Sequence, residues 1–461
     1  MKRIFSNKDL WLLIWPLLVE QLLQITLGIA DIFMVSSVGK AAVSGVSLVD
    51  QINILLTQIF AALGTGGAVV CAQYIGAGNE KMAEESAKHI IIIVFSIALF
   101  FLFTGLIFYR QILEMIFGGV EADVMKSSER YFFITLFALP GIALYSAAAS
   151  LFRVQGNSRI SMITALLVNV LNIGGNFILI YKMHCGVEGV AIPTFISRTS
   201  AAIVLLYFLY KGKSFKGKKS ISIKGISKID FQWHLTGKIL KIGIPNGIEN
   251  STFQIGKIIV MSLVATYGTN AVAANAAANT LCSLEVFPAA SVGLGMLTVV
   301  GQCMGAGEIE QAGYYTKKLM AIAFASMMVL NIPFLFMAHK AMELFNMEHE
   351  VTEIGYIITF CHGFFALFIW PLSFTLPNAL RAAGDATFTM IVSMISMWTV
   401  RVGLAYLFKY TGTFGLMEAM HWSLSYGVIS VWLAMFIDWA VRSAFFIARF
   451  ARGKWKLNRL I

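Results

Sequence analysis

Three polar residues, Glu20, Gln24 and Asp31, interrupt the first strongly apolar stretch of the sequence, which runs from Leu10 to Val35. On a helix that turns about 100° per residue, Gln24 lies about 40° and Asp31 about 20° from Glu20, so all three share one face. Carboxylates in a membrane helix are costly and normally face a bundle interior or a water-filled cavity. The pattern therefore predicts a polar stripe inside a bundle, which either binds an ion or only fixes helix packing.

The fifth apolar segment carries a second polar set, formed by Asn169, Asn172 and Asn176. Their spacing predicts that they lie on one face of a helix. Amide oxygens, together with a carboxylate, are suitable ligands for a small hard cation. Thr194, in the sixth segment, adds a hydroxyl beside the bend expected at Pro193. The same amides could instead hold helices together through hydrogen bonds, and the spacing leaves both interpretations open.

The composition predicts an integral membrane protein. The chain has 461 residues, of which 58% are hydrophobic and 13% charged, and its mean hydropathy is +0.77, as is typical of membrane proteins. Neither the five cysteines nor the seven histidines show metal-ligand spacing. There is no phosphate-binding loop of the GxxxxGKS or GxxxxGKT type and no visible pairing of a nucleophile with a base. We therefore expect no enzyme activity and no cofactor.

The apolar segments predict an all-α polytopic fold with twelve transmembrane helices, since about 20 apolar residues suffice to cross a bilayer. The predicted spans are 10–35, 45–75, 88–109, 130–152, 159–181, 187–210, 238–265, 271–303, 315–338, 353–379, 386–409 and 423–448. Between Lys211 and Lys241, after the sixth span, there are nine lysines and one acid, Asp230. Basic loops stay in the cytoplasm. We therefore expect a multi-pass protein of the cell membrane with both termini in the cytoplasm.

The two halves of the chain repeat one another at an offset of 229 residues, with a slip of one residue in the last motif. The repeated features are Pro16 and Pro245, Glu20 and Glu249, QYIGAG at 73–78 and QCMGAG at 302–307, and two Arg-x-x-Gly loops at Arg153 and Arg381. Because six spans separate the copies, the repeats have the same orientation, as in one class of secondary transporters. We expect an N-terminal six-helix lobe in 1–210, a cytoplasmic linker in 211–236 and a C-terminal six-helix lobe in 237–461.

These motifs resemble those of the MATE family of multidrug and toxic-compound extrusion transporters. The resemblance covers essentially the whole chain, and its most specific parts are Pro-x3-Glu followed by Asp-x7-Gly in 16–39, the two Gly-Ala-Gly loops and the two Arg-x-x-Gly loops. It implies two parallel six-helix lobes in a V shape around a central cleft. It also implies secondary active export of amphiphilic, often cationic small molecules in antiport with Na+ or H+, by alternating access of the two lobes.

The resemblance also assigns a cation site to the N-terminal lobe. Asp31, Asn172, Asn176 and Thr194 match that site and are candidates for proton coupling or for binding Na+. Some family members have an aspartate where Asn176 stands. This chain therefore has one carboxylate fewer at the site.

The C-terminal lobe lacks the same set. Val260 occupies the position that matches Asp31, and the tenth span has no acid where other family members place an aspartate. A lone buried carboxylate near fixed cations is more readily neutralised by them than by Na+. We therefore expect no cation site there, and we expect Glu249 to pair with Lys257 or Arg401 or to meet a cationic substrate.

Further polar residues are assigned to the substrate cleft or to pairing within the lobes. They are Glu20, Gln24, Glu249, Lys257 and Arg401. Asp438 and Arg442, four residues apart in the last span, are expected to form a structural pair.

The expected substrates are small-molecule drugs and toxic compounds, with membrane lipid around the chain, no nucleic-acid partner and a monomeric state. The main alternative is a flippase of related architecture for lipid-linked precursors. A flippase would need a strongly basic cavity for a phosphate headgroup, and Arg198, Lys257 and Arg401 are the only strong candidates. An ion channel ranks third, because a continuous pore does not require duplicated six-helix lobes.

Overall fold

Twelve long helices make up most of the chain that the structure describes. The structure is a computed structural model and describes residues 3–212, 221–228, 230–411, 423–458 and 460–461. The helices are α1 (Asn7–Ser36), α2 (Lys40–Gly76), α3 (Glu80–Phe117), α4 (Ala122–Val154), α5 (Ser158–Lys182), α6 (Glu188–Lys211), α7 (Trp233–Ala265), α8 (Thr269–Gly305), α9 (Ile309–Glu343), α10 (His349–Ala382), α11 (Ala386–Tyr410) and α12 (Leu424–Ala451). No strand occurs in these ranges. The predicted all-α fold of twelve helices is confirmed.

Eleven of the described helices are long and apolar enough to cross a membrane. The remaining one, α7, is as long as its neighbours, but Lys238, Lys241, Glu249 and Lys257 interrupt its apolar residues. Several helices extend beyond the predicted spans, and α3 is an example, because it starts at Glu80 with a charged first turn. The apolar pattern therefore predicts the part of a helix that can cross the membrane, and the polar ends continue beyond it.

The start of α1 is fixed by a capping box. The Ser6 hydroxyl accepts a hydrogen bond from the Asp9 N–H at 3.2 Å, and the Asp9 carboxylate accepts one from the Ser6 N–H at 2.9 Å. These bonds satisfy two backbone donors that a helix start leaves without partners. The cap and Pro16, which lies within the helix, precede the turns that carry the candidate polar residues of α1.

Within the described ranges, three helices contain a π-helical segment. These segments are Phe177–Lys182 in α5, Pro371–Thr375 in α10 and Ser396–Val402 in α11. A π-turn inserts one residue into the helix and is frequent at functional sites. The α5 segment begins directly after Asn176, and the α11 segment contains Arg401. The insertions therefore change the direction of side chains next to candidate polar residues.

The described residues divide into two compact units. The first comprises 1–247 together with 301–307 and 460–461, and the second comprises 248–300 and 308–459. In the first unit α2 packs against α3 and α4, and α5 packs against α1 and α6. In the second unit α10 packs against α9 and α12, and α11 packs against α12.

The lobe boundaries derived from the repeat, 1–210 and 237–461, stay a prediction. Of the basic linker at 211–236, residues 213–220 and 229 lie outside the described residues. Four of the nine lysines on which the cytoplasmic assignment depends belong to that part: Lys213, Lys216, Lys218 and Lys219.

The repeated Gly-Ala-Gly motifs have a structural explanation within the first unit. A Cβ atom on Gly76 would lie 2.0 Å from the Gln302 carbonyl oxygen, and one on Gly305 would lie 1.8 Å from that of Gln73. The first glycine of each motif therefore allows the backbones to approach closely. The second, Gly78 or Gly307, has a φ of 71° or 78°, which is a conformation that glycine adopts most readily.

Candidate functional site

In the first unit, four side chains from α1, α5 and α6 form a continuous hydrogen-bonded chain. Asn176 Nδ2 donates to Asp31 Oδ1 at 2.6 Å and to Asn172 Oδ1 at 3.1 Å. Asn172 Nδ2 donates to Thr194 Oγ1 at 3.0 Å, and Thr194 Oγ1 donates to the Val190 carbonyl at 2.9 Å. The structure therefore brings together the four residues that the family resemblance assigns to one site.

The amides of this site are deeply buried, and one oxygen among them lacks a partner. Asn176 is 0% and Asn172 1% exposed, while Asp31 and Thr194 are partly buried. Both Asn176 amide hydrogens are used, and no hydrogen-bond partner is found for Asn176 Oδ1 among the described residues. The four residues offer carboxylate, amide and hydroxyl oxygens, which are the hard donors that suit Na+, and an unpaired buried oxygen among them is open to a further partner. The residues present therefore fit a small hard cation.

Asn169 does not join this chain. It is buried, and its Nδ2 donates to the Ala165 carbonyl in its own helix at 3.0 Å.

A second carboxylate of the first unit, Asp50 in α2, was missed by the sequence reasoning. Tyr131 Oη in α4 donates to Asp50 Oδ1 at 3.1 Å, and α2, which carries Asp50, packs against α1. An acid in an apolar span is itself a signal of function. Asp50 lies within the second predicted span and could have been singled out on that basis.

Glu20, although on the same helix as Asp31, has a different environment. It is 0% exposed, forms an ion pair with Arg153 of the first Arg-x-x-Gly loop, and accepts a hydrogen bond from Ser161 Oγ at 2.8 Å. Gln24 is exposed. The predicted polar stripe of α1 therefore contains one internally neutralised carboxylate, one exposed amide and one carboxylate, Asp31, that is bonded to an amide.

Glu249 repeats this arrangement in the second unit. Arg381 Nη2 of the second Arg-x-x-Gly loop donates to Glu249 Oε1 at 2.8 Å, and Ser393 Oγ donates to it at 2.6 Å. The expected pairing of Glu249 with Lys257 or Arg401 is wrong. The repeat explains the result, because Arg381 holds the position in its copy that Arg153 holds beside Glu20.

A cavity of about 210 Å³ lies beside Glu249 within the second unit. Its walls include Glu249, Arg381 and Arg442 together with Phe253, Phe374 and Met397. Lys257 and Arg401 do not pair with Glu249. Instead, Lys257 Nζ lies 5.1 Å and Arg401 Cζ lies 5.2 Å from the centre of the Phe253 ring.

The predicted structural pair of Asp438 and Arg442 is confirmed. Arg442 Nη1 lies 3.9 Å from Asp438 Oδ2, and Asp438 also accepts a hydrogen bond from Ser396. The same arginine reaches the carboxylate of Glu249, with 3.8 Å between Nη2 and Oε1.

A buried group of Cys282, Glu285 and His362 connects α8 and α10. Potential ligand atoms of the three side chains lie within 4.8 Å of one another, and His362 Nδ1 is hydrogen-bonded to Glu285 Oε2. Sequence spacing did not reveal this group because His362 lies 77 residues from Glu285. The imidazole and carboxylate are bonded to each other, so we interpret the group as a buried structural pair.

Sequence comparison reveals relatives over the whole chain. A model of the MatE family matches residues 16–178 and again residues 245–407. The second match begins and ends 229 residues after the first, which is the offset of the internal repeat. The chain is also 26% identical over 465 residues to the probable multidrug resistance protein NorM of Thermotoga maritima, covering 99% of this chain and 94% of that protein.

Solved structures share the fold. A MATE protein crystallised in complex with MaL6 superposes with a TM-score of 0.85 at 20% identity, over 96% of each chain. A MOP superfamily transporter from Pyrococcus furiosus, whose binding pocket is described as having reverse polarity, gives a TM-score of 0.84 at 19% identity, also over 96% of each chain. At these identities the likeness concerns the fold alone.

Proposed function

This chain belongs to the MatE family of membrane transporters, and from that premise we propose that it is a secondary active multidrug efflux transporter. It is a multi-pass membrane protein and not an enzyme. In the proposal, it exports amphiphilic small molecules in exchange for inward Na+ or H+, and no cofactor takes part. The multidrug character is supported by the NorM relative, and the exchange is supported by the site around Asp31.

The observation that carries the ion exchange is the bonding of Asp31 to Asn176. Asp31 accepts a hydrogen bond from a neutral amide at 2.6 Å, whereas Glu20 and Glu249 accept bonds from arginines. A carboxylate next to a fixed cation gains little by binding another cation, because its charge is already compensated. Asp31 therefore keeps a negative charge available for Na+ or H+.

Exchange follows if ion and substrate favour opposite conformations. A ligand shifts a conformational equilibrium only by its difference in affinity for the two states. An ion at Asp31 would change the charge that α1 presents to α5 and thereby the relative stability of two packings of α1. The coupling is reciprocal, so substrate binding must weaken ion binding by the same factor.

For the orientation, we propose that both termini and the basic linker face the cytoplasm of the cell membrane. The support is the charge distribution, with nine lysines and one acid between Lys211 and Lys241 and the retention of such loops in the cytoplasm. In this orientation, the two Arg-x-x-Gly motifs, at the ends of α4 and α10, face the cytoplasm as well.

Substitution of Asp31 by Asn tests the proposal. Asp31→Asn keeps the size of the side chain but removes its negative charge. In proteoliposomes with an imposed Na+ or pH gradient, we expect gradient-driven efflux of a fluorescent dye to fall by about 100-fold, as for loss of roughly 3 kcal/mol of coupling. The two gradients, applied separately to the unaltered protein, identify the coupling ion.

The matched control is Asp230→Asn, which removes an exposed carboxylate outside the twelve helices. It should transport at the rate of the unaltered protein. Undiminished gradient-driven efflux by Asp31→Asn would refute the assignment of Asp31.

A further inference from the structure

Arg442 is one of the residues that line the cavity of the second unit. Its side chain is 3% exposed. Nη2 donates to Ser393 Oγ at 3.0 Å, whereas Nε and Nη1 have no hydrogen-bond partner among the described residues. Buried guanidinium groups normally satisfy most of their five donors. The unused donors of Arg442 therefore suit an acceptor from outside the chain.

The neighbouring carboxylates compensate the charge of Arg442 without filling these hydrogen bonds. Asp438 Oδ2 is 3.9 Å from Arg442 Nη1, which is beyond hydrogen-bond distance. Glu249 Oε1 is 3.8 Å from Nη2 and is already bonded to Arg381 and Ser393. Neither acid occupies the position of the missing acceptor.

The charged groups around the cavity have a positive sum. Arg381, Arg442 and Glu249 line the cavity. Lys257 and Arg401 lie near its Phe253 wall, and Asp438 lies beside Arg442, so these six groups together carry a net charge of +2. Arg401 is 8% exposed, and its Nε also lacks a hydrogen-bond partner among the described residues. Lys257 is exposed, so the buried and partly buried groups alone, three arginines against two acids, sum to +1. An excess of positive charge in a low-dielectric region attracts an anion.

The cavity also has an apolar wall. Phe253, Phe374 and Met397 line it, and the Phe374 ring is stacked on Trp370 with 4.9 Å between ring centres. Arg442 Cζ lies 4.6 Å from the centre of the Phe374 ring, over its face. An anion bonded to this guanidinium would therefore be next to an aromatic surface. The cavity thus combines a cationic end with an apolar side.

We propose that this cavity binds amphiphilic organic anions, with a phosphate or sulfonate group hydrogen-bonded to Arg442 and an apolar body against Phe253 and Phe374. The proposal rests on the proposed function, because it names the substrate class of that transporter. Guanidinium groups bind such oxyanions through paired, charge-assisted hydrogen bonds. At this site, organic anions take the place of the cationic substrates that the family resemblance implies. The same chemistry occurs in a soluble drug-like sulfonate and in a lipid phosphate.

Equilibrium binding to the purified full-length protein in detergent tests the proposal. The probes are 2-naphthalenesulfonate and (2-naphthyl)trimethylammonium, which share an aromatic body and differ in the sign of their charge. We expect the sulfonate to bind at least 10-fold more tightly than the ammonium. Inorganic phosphate and farnesyl phosphate are tested as two further probes in the same binding experiment. Tight binding of farnesyl phosphate with weak binding of the sulfonate assigns the site to a lipid phosphate, and the converse assigns it to soluble organic anions.

Variants connect the binding to the cavity. Arg442→Gln should weaken sulfonate binding by about 10- to 100-fold, whereas Arg442→Lys, which keeps the charge, should retain most of it. Asn250→Asp adds a negative charge at the cavity wall without changing side-chain size, and it should weaken sulfonate binding about 10-fold even if Arg442→Gln does not fold. Arg110→Gln, at an exposed arginine of the first unit, is the control and should bind like the unaltered protein.

Tighter binding of the ammonium than of the sulfonate, or equal sulfonate affinity in unaltered protein and Asn250→Asp, would overturn the anion site. Dye efflux driven by the ion gradient is measured on the same preparations. Normal efflux without binding of either the sulfonate or farnesyl phosphate refutes the anion site and leaves the efflux function intact. Sulfonate binding without gradient-driven efflux of any dye refutes the efflux function and supports the anion site.

Discussion

Single residues determine how each of the carboxylates in the apolar helices is bonded. Glu20 and Glu249 are each bonded to an arginine, while Asp31 is bonded to the amide of Asn176. The three residues look equivalent in the sequence, as acids in apolar helices. Their partners divide them into two carboxylates paired with an arginine and one bonded to a neutral amide, which is the one that we propose binds the coupling ion.

Asp50 is predicted to strengthen ion binding at Asp31. Asp50 lies on α2, which packs against α1, and a nearby negative charge stabilises a bound cation. Asp50→Asn should therefore raise the ion concentration for half-maximal efflux by about 5- to 10-fold, or roughly 1 kcal/mol, without abolishing exchange. The measurement is dye efflux from proteoliposomes against the concentration of the coupling ion.

Tyr131→Phe serves as the comparison, because it removes the hydrogen bond to Asp50 and keeps the charge. It should shift the half-maximal concentration less than Asp50→Asn does. An unchanged half-maximal concentration in Asp50→Asn would exclude a part for Asp50 in ion binding.

Among the helices, the repeated motifs serve structural purposes. Pro-x3-Glu and Arg-x-x-Gly supply the two partners of one ion pair in each unit, Glu20 with Arg153 and Glu249 with Arg381. The Gly-Ala-Gly motifs allow backbones to meet at Gly76 and Gly305. The residues proposed to bind ligands, Asp31 and Arg442, fall outside the motifs that the two halves share.

Gly76→Ala is predicted to destabilise the protein. A Cβ there would overlap the Gln302 carbonyl, and because the obstacle is backbone, relief requires α2 to move. Overpacking of this kind costs about 1–3 kcal/mol, and the thermal unfolding midpoint in detergent should fall by several degrees. Gly174→Ala, in α5, has open space around the added atom and should leave the midpoint unchanged or slightly higher. Equal midpoints for the two variants would contradict the close approach.

The helices and the repeat could be predicted from the sequence, because the helices follow from the lengths of the apolar segments and the repeat follows from motifs that recur at a constant offset. The contacts that join Asp31, Asn172, Asn176 and Thr194 could be predicted as well, since the amides of α5 share one face and the family resemblance supplies Thr194. Their role in ion binding stays a prediction. The pairing of Glu249 was predicted wrongly, because proximity along the chain favoured Lys257, whereas the repeat pointed to Arg381. Contacts such as Asp50 with Tyr131, or Glu285 with His362, depend on how each helix is rotated about its axis relative to its neighbour. Local sequence patterns do not determine that rotation.

For the whole molecule, each of the two units holds a site of its own character. The first provides a carboxylate with neutral oxygen donors, suited to a small cation. The second provides a cavity with an excess of arginine, suited to an organic anion. A transporter that exchanges an ion for a substrate needs two sites whose occupancies influence each other, and in our proposal the Asp31 site and the Arg442 cavity are those two sites.

The proposed coupling of ion movement to substrate movement by Asp31 is tested most directly through its reciprocity. Proteoliposomes are given a substrate gradient and no ion gradient, and the movement of Na+ or H+ against the substrate is measured. The unaltered protein should move the coupling ion in the direction opposite to the substrate, and Asp31→Asn should move substrate, if at all, without the ion. Substrate-driven ion movement of equal size in Asp31→Asn would contradict the proposed coupling.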